Sequence, residues 1–371
     1  MKFGIFSTVT KADERSVHQL FKENLEQVEY AEQLGFDSFW FAEHHFSTYS
    51  MIASPNLLVA AAARRTRRIK LGPAVNVLPF HHPIRLAEEG AMLDMLSDGR
   101  LQWGIGRGIQ PSEFIPWRVD RDQSREIFEE VHDAMLRAWT QPTFSYEGRF
   151  VHVPETSLMV RPIQQPHPPI WVAGLSEPSV RWAARHNYPS MEVYTTLPTM
   201  QQHWEIYRQE NAACGHTIDH VGFVPTRHIY LAATDAQAKA EALPTLAARW
   251  KELLRLARPA DVAKSSAYSY LQGTFDTAAR GDFDELMDLG MLLIGSPETC
   301  IRQIKRHQEF LGDALQYMIL FFAYGNLTQS QILNSMRLFA EEVMPEFTDA
   351  SVSAGVLPPA AGHKEPRSYD S

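Results

Sequence analysis

Residues 43–45 read Glu-His-His, at the end of the apolar run Phe39-Trp40-Phe41-Ala42 and directly before Phe46. An imidazole titrates near neutral pH, so a histidine at the end of a buried strand is a candidate general acid or base. Adjacent residues of an extended segment point in opposite directions. The pair therefore divides: His44 projects into whatever opens at the strand end, His45 turns back toward the wall or Glu43, and Glu43 orients the pair. A metal centre built from His44, His45, His81 and His82 is disfavoured, because the chain has neither H-x-H nor H-E-x-x-H. Cys214 and Cys300 lie far apart and show no zinc or CxxC spacing, so neither a metal nor a disulfide framework is expected.

The elements that must hold His44 in place form a repeating series. Lys2–Ser7 reads as a strand, and Ser16–Leu34 as a helix stopped by Gly35. Strand-like runs follow at Phe36–Phe41, Ile69–Leu78 and Leu101–Ile105, with helices expected over Pro55–Arg64, from Pro83 to Ser97-Asp98-Gly99, and over Asp122–Trp139. Phe144–Val153 is a short β excursion and Arg161–Pro169 a proline-rich connector. Four further pairs follow: Ile170–Ala173 with Ser176–Arg185, Met191–Tyr194 with Met200–Ala213, Thr226–Ala233 with Ala236–Ala257, and Gln316–Phe322 with Gln329–Val343. An extra helix opens at Ser296-Pro297-Glu298. Eight strand-then-helix units predict a (β/α)8 barrel with insertions, the alternative being a doubly wound sheet. Arg258–Leu289 reads as a mobile loop near the mouth, and Asp349–Ser371 as a disordered tail. One domain over 1–347 and a flexible tail over 348–371 are expected.

In such a barrel, function collects at the carboxyl ends of the strands. There the sequence places Asn76, Arg107, Ser176, Ser179 and Tyr194 beside the histidine pair. Ser176-Glu177-Pro178-Ser179 opens a helix after a strand. That position suits either ordinary capping or a phosphate bound by backbone N–H groups and hydroxyls. Arg107, one strand earlier, favours the anion. The run Gly104-Ile105-Gly106-Arg107-Gly108 is G-x-G-x-G, with Pro111 where a helix should begin, so it is not read as a dinucleotide fingerprint. Its glycines let the backbone approach a flat ligand.

Composition limits the partners. The 371-residue chain is 44% hydrophobic with a net charge of -9, which argues against nucleic acid or an anionic membrane as the principal partner. Arg64-Arg65-Thr66-Arg67-Arg68 reads as a solvated helix end. No run reaches the roughly 20 apolar residues of a membrane span, and no apolar signal core follows Met1. A cytoplasmic protein is expected.

The order and spacing of several short motifs carry a resemblance. They are Met1-Lys2-Phe3-Gly4, Glu43-His44-His45-Phe46, His82-Pro83-Ile84-Arg85, Gly99-Arg100, Gly106-Arg107-Gly108, Trp182-Ala183-Ala184, Gly295 to Cys300, and Met344-Pro345. From Met1 to about Phe347 the chain resembles the bacterial luciferase-like flavin monooxygenases, of the alkanal monooxygenase α-chain type. The resemblance implies a barrel that binds reduced FMN (FMNH2) at its carboxyl face. Molecular oxygen is then the co-substrate, reacting through a flavin C4a-peroxide to oxygenate an apolar organic substrate such as an aldehyde or ketone. It also implies a separate NAD(P)H:flavin reductase and a homodimer formed through Pro55–Arg64 and Ile84–Leu96.

Carried over by position, His44 is the catalytic histidine. Arg107, Ser176 and Ser179 contact phosphate and flavin, with Asn76, Gly106 and Tyr194 also on the cofactor. Ala74-Val75 falls where the family has a non-prolyl cis peptide beneath the flavin. Two departures count against a long-chain aldehyde: Gly106 replaces the reactive cysteine of light-emitting chains, which opens space above the ring, and Leu175 replaces a glutamate. Met51, Phe114, Trp117, Tyr194 and Trp250, with Glu43 and His45, are candidates to line a substrate pocket. Two alternatives stand beside this reading: an F420-dependent oxidoreductase of the same fold, and a non-catalytic partner subunit like the luciferase β chain. The latter lacks the first histidine of the pair, which is present here as His44.

Overall fold

Strands that are apolar on both faces must be covered on both faces, and that requirement organises the chain. In the computed structural model, which describes residues 1–218, 221–257 and 271–348, strands and helices alternate along the sequence. The order is β1 (Lys2–Ser7), α1 (Val17–Leu34), β2 (Ser38–Phe41), α2 (Pro55–Arg65), β3 (Lys70–Pro73), β4 (Asn76–Val77), α3 (Pro83–Leu96), β5 (Trp103–Gly106), α4 (Pro111–Trp117) and α5 (Ser124–Thr140). It continues with β6 (Phe144–Glu147), β7 (His152–Thr156), β8 (Ile170–Ala173), α6 (Glu177–Arg185), β9 (Ser190–Glu192), α7 (Leu197–Ala213), β10 (Phe223–Leu231) and α8 (Asp235–Ala257). Then come α9 (Leu271–Arg280), α10 (Phe283–Asp288), β11 (Leu292–Gly295), α11 (Pro297–Leu311), β12 (Tyr317–Ala323) and α12 (Gln329–Leu338). Helix ends follow local chemistry. The Ser16 hydroxyl accepts the Gln19 N–H at the start of α1, and Gly35 closes it at a φ of 85°.

Parallel pairing runs in the order β3-β2-β1-β12-β10-β9-β8-β5-β4, while β11 joins the upper half of β10. A single parallel bridge, Leu71 to Leu101, links the β3 and β5 ends. The sheet is thus nearly closed into a barrel ringed by helices, the (β/α)8 architecture with an antiparallel β6–β7 hairpin inserted. Inside it, Trp40, Trp171, Met191, Val224, Tyr317 and Ile319 form a separate apolar layer. Among the described residues, no helix is long and apolar enough to cross a membrane.

The closing seam depends on two positions without side chains. A Cβ on Gly72 would lie 2.1 Å from the Gln102 carbonyl oxygen, and one on Gly104 would lie 2.0 Å from that of Pro73. Neither glycine has an unusual φ; what each supplies is room for the two backbones to approach.

The expected element pattern needs several corrections. The run expected over Ile69–Leu78 is broken into β3, a cis Ala74–Val75 peptide, β4 and a 3-10 turn at Leu78–Phe80. Pro111, read as an obstacle to a helix, sits in the first turn of α4, where its fixed φ is compatible. β11 adds a strand that the sequence pattern missed. The stretch Arg258–Leu289, expected as a loop, carries α9 and α10, while its part 258–270 lies outside the described residues. The tail expected over 349–371 also lies outside them.

One buried carboxylate ties the end of β2 to the segment after β3. Glu43 accepts the Val77 N–H at 2.8 Å, with His45 Nε2 at 3.0 Å and His81 Nε2 at 2.8 Å. Burial raises the Glu43 pKa, but hydrogen bonds from His45, His81 and Val77 outweigh it and hold the carboxyl below its usual range. Burial lowers the His81 pKa, yet the bond to Glu43 leaves it above its ordinary value of 6.5.

Two predictions follow from these contacts. Gly72→Ala should cost about 1–3 kcal/mol in chemical denaturation, the usual penalty for overpacking, and unchanged stability would refute the seam's tightness. The His81 contribution is fully present below pH 6.5 and is lost as pH rises through its elevated folded value. The melting temperature of the wild type should therefore fall along that limb, and His81→Gln should flatten it; an identical slope in the variant would show that the pair carries no linkage.

Candidate functional site

The loops that follow the barrel strands enclose a cleft with about 580 Å³ of empty space, including its open mouth. Its walls come from four strand ends: Glu43 and His44 after β2, Ala74 and Val75 after β3, Gly106 and Arg107 at β5, and Ala173, Ser176 and Ser179 after β8. Parallel strands all deliver their carboxyl ends to one face, so residues far apart in sequence meet there.

His44 faces this cleft, with its side chain 18% exposed. Its Nδ1 lies 3.0 Å from Glu113 Oε1, and the same oxygen accepts the His45 N–H at 2.8 Å. Glu113 sits on α4 and is buried. With this carboxylate ionised, Nδ1 carries the imidazole proton and Nε2 is left as an acceptor. His45 is buried against Glu43 and does not share the cleft. Glu43 was expected to orient both histidines; it holds His45 and His81, and Glu113 holds His44. None of the four histidines considered for a metal belongs to a group with metal-ligand spacing among the described residues.

The opposite end of the cleft is built for an anion. Ser176 is the N-cap of α6, but its hydroxyl makes no capping bond; it lies 3.1 Å from the Ser179 hydroxyl. The Arg125 guanidinium donates to Ser179 Oγ at 3.3 Å, and Arg107 lines the same wall. Burial lowers the Arg125 pKa from its usual value, but a guanidinium remains cationic. Two serine hydroxyls, two guanidinium groups and a helix N-terminus form an anion cradle.

Asn76 stands between Val75 and Val77, which line the cleft, but does not line it itself; it is fully buried, and its carboxamide oxygen and nitrogen have no partner among the described residues. An unsatisfied buried amide is costly unless a ligand or water completes it. Gly106 does not open space above the cleft floor as expected. A Cβ there would meet the Val75 methyl at 2.4 Å, because Val75 already fills that volume.

The remaining candidates scatter. Met51 lines a second, outer cleft with His44, bounded on the far side by Glu252 and Arg255 of α8. Phe114 is buried against Val77 and Phe80, and Trp117 stacks on Phe80 at 5.9 Å, half exposed at the rim. Tyr194 lies outside the main cleft: its hydroxyl is 2.6 Å from that of Tyr49, and its ring meets Trp250 at 5.2 Å. Glu113 and Arg125 escaped the sequence reading. Each stands on a helix with no motif around it, and only the fold brings it to the cleft.

Comparison with known proteins agrees with this architecture. The family model described as luciferase-like monooxygenase matches residues 1–314. The limonene 1,2-monooxygenase of Rhodococcus erythropolis is 30% identical over 356 residues, spanning 93% of this chain and 86% of that protein. The oxygenase component of a flavin-dependent trigonelline monooxygenase from Acinetobacter baylyi is 30% identical over 248 residues, covering 65% of this chain and 68% of its own. A Sinorhizobium fredii relative is 40% identical over 201 residues, and the chain spans 57% of that protein's length. Among solved structures, monooxygenase RslO1 from Streptomyces bottropensis superposes with a TM-score of 0.79 at 29% identity, covering 94% of this chain and 100% of its own. The chain belongs to the luciferase-like monooxygenase family of flavin-dependent enzymes.

Proposed function

We propose that this chain is the oxygenase half of a two-component monooxygenase, receiving reduced FMN from a separate NAD(P)H:flavin reductase and using O2 to oxygenate an organic substrate with an apolar body, such as an aldehyde or ketone. The observation that carries this reading is the one cleft lined both by the His44–Glu113 pair and by Arg107, Ser176 and Ser179, with Arg125 donating to Ser179 from behind that wall. An imidazole at one end and an anion cradle at the other suit a ligand with a phosphate tail and a reactive head.

FMN fits this donor set. The cradle would hold its phosphate, and the ring would lie along the cleft between the cradle and His44. Bound there, reduced FMN supplies two electrons, so that one oxygen atom passes to the substrate and the other leaves as water. The chain's own part is to position and to move protons. Glu113 fixes the His44 ring and its tautomer, so that Nε2 faces the cleft as a proton acceptor and, once protonated, as a donor. Ala74, Val75 and Gly106 present a flat, largely apolar floor with no side chain long enough to compete for the ligand.

A homodimer is part of the proposal. Leu57 on α2 and Met92 and Met95 on α3 are 72%, 51% and 44% exposed, an apolar strip on the helices expected to pair.

His44→Ala, assayed with reduced FMN, O2 and a panel of aldehydes and ketones, should lose about 10²–10⁴-fold in oxygenated product while FMN affinity is retained. Normal product formation would remove His44 from the mechanism. Ser179→Ala combined with Arg125→Ala should weaken FMN about tenfold or more yet leave riboflavin, which lacks the phosphate, little affected. Equal weakening of both flavins would place the phosphate elsewhere, and tighter binding of F420 than of FMN would make the chain a deazaflavin enzyme. Light scattering should report a dimer at micromolar concentration, and Leu57→Lys should shift it toward monomer; a wild-type monomer would refute the interface.

A further inference from the structure

A second polar cluster lies above the barrel's apolar layer, apart from the FMN cleft. Side chains on a strand alternate between faces, so His228 and Phe321 stand two residues beyond the interior positions of Thr226 and Ile319. Over them lies Arg249 of α8, only 4% exposed. Its guanidinium carbon sits 4.1 Å from the Tyr49 ring centre and 4.6 Å from that of Phe321. Nη1 donates to Thr10 Oγ1 at 2.9 Å and lies 3.5 Å from Thr8 Oγ1 and from the Tyr49 carbonyl oxygen, with the Tyr194 hydroxyl beside the guanidinium. Nε and Nη2, however, are buried with no acceptor within hydrogen-bond distance among the described residues. No carboxylate pairs with Arg249 among the described residues, and burying an unpaired charge is among the costlier things a fold can do.

Its neighbours have the same deficit. The Trp250 indole nitrogen, the Tyr324 hydroxyl and His228 Nε2 are each buried without a partner among the described residues. His228 touches the other two, with ring centres 6.4 Å from Trp250 and 5.4 Å from Tyr324. Burial, together with Arg249 and Arg227, holds the His228 pKa far below its usual value, so its ring is neutral. Burial likewise keeps Tyr194 protonated. Among the described residues the cluster therefore has cation and donors in excess and no anion of its own.

We infer that this cluster is the docking site for an anionic group of the substrate, a carboxylate seated on Arg249 with Trp250, Tyr324 and His228 as further donors. The inference deepens the monooxygenase reading and rests on it for the word substrate. Tyr49 is the link: its ring packs on Arg249 and meets the His44 ring edge-on at 5.1 Å. A molecule anchored on Arg249 would thus extend its apolar body past Tyr49 toward His44. The outer cleft that His44 shares with Met51, Glu252 and Arg255 is lined by Thr48 and Ser50 on either side of Tyr49, so it lies next to this link without reaching Arg249.

Calorimetric titration of the full chain with matched probes tests this without turnover. The pairs are benzoate with benzamide and octanoate with octanamide, equal in shape and different in charge. The wild type should bind the carboxylate of at least one pair about tenfold more tightly than its amide, as expected for a charge-assisted bond. Arg249→Met should abolish that preference, Arg249→Lys should keep part of it, and both should bind FMN within about twofold of the wild type. The wild-type comparison stands even if a variant fails to fold. Equal or undetectable binding of both members of every pair overturns the inference, as does a preference that survives in Arg249→Met. Loss of FMN affinity by about tenfold in Arg249→Met also overturns it, because the anion would then be the cofactor's own. A chain that prefers F420 but keeps the carboxylate preference would refute the monooxygenase reading and leave this one intact.

Discussion

Two carboxylates sealed from water, Glu43 and Glu113, determine where three histidines stand. An ion in that position must be surrounded by donors, and the fold supplies them from several elements at once. Glu43 gathers His45, His81 and the Val77 amide, which fixes the chain leaving β2 against the chain leaving β3. Glu113 takes His44 and the His45 amide, which brings α4 across the mouth. The histidine that faces the cleft is thus held by one acid and its neighbour by another, and the helices and strands around them keep both acids dry.

The two ends of the barrel mouth differ in character. On the β5–β8 side, Arg107, Arg125 and Ser179 are partly exposed, and Ser179 is bonded to Arg125 and Ser176. On the β10–β12 side, Arg249, Trp250, His228 and Tyr324 are buried with donors unused among the described residues. Val9, Phe46 and Tyr194 all adopt positive φ on loops after β1, β2 and β9, a conformation that side-chain-bearing residues enter reluctantly.

Much of the fold was legible because buried parallel strands are short, apolar and punctuated by helix signals. The alternation of side chains along β2 was enough to separate His44 from His45. What failed did so for identifiable reasons. Pro111 looked like a breaker although proline is at home in a first turn, so α4 and its Glu113 were lost together. Leu292–Gly295 is too short an apolar run to be told from the start of the helix behind it. Glu113 and Arg249 acquire meaning only through contacts far along the chain, 69 residues away for Glu113 and 239 for Arg249, and no local pattern marks either of them. Tyr194, expected on the cofactor from its position after a strand, lies outside the main cleft with its hydroxyl on that of Tyr49, at a position where the backbone turns left-handed.

The contact between Gly106 and Val75 has a consequence for how this site can change over generations. A side chain at position 106 collides with a methyl of a β-branched residue that has few rotamers to escape into. The two positions cannot vary independently. Replacing Gly106 first meets a steric barrier, whereas trimming Val75 first leaves a small void that the later substitution then fills. The order of substitutions, and not only their identity, decides which chemistries this barrel floor can reach.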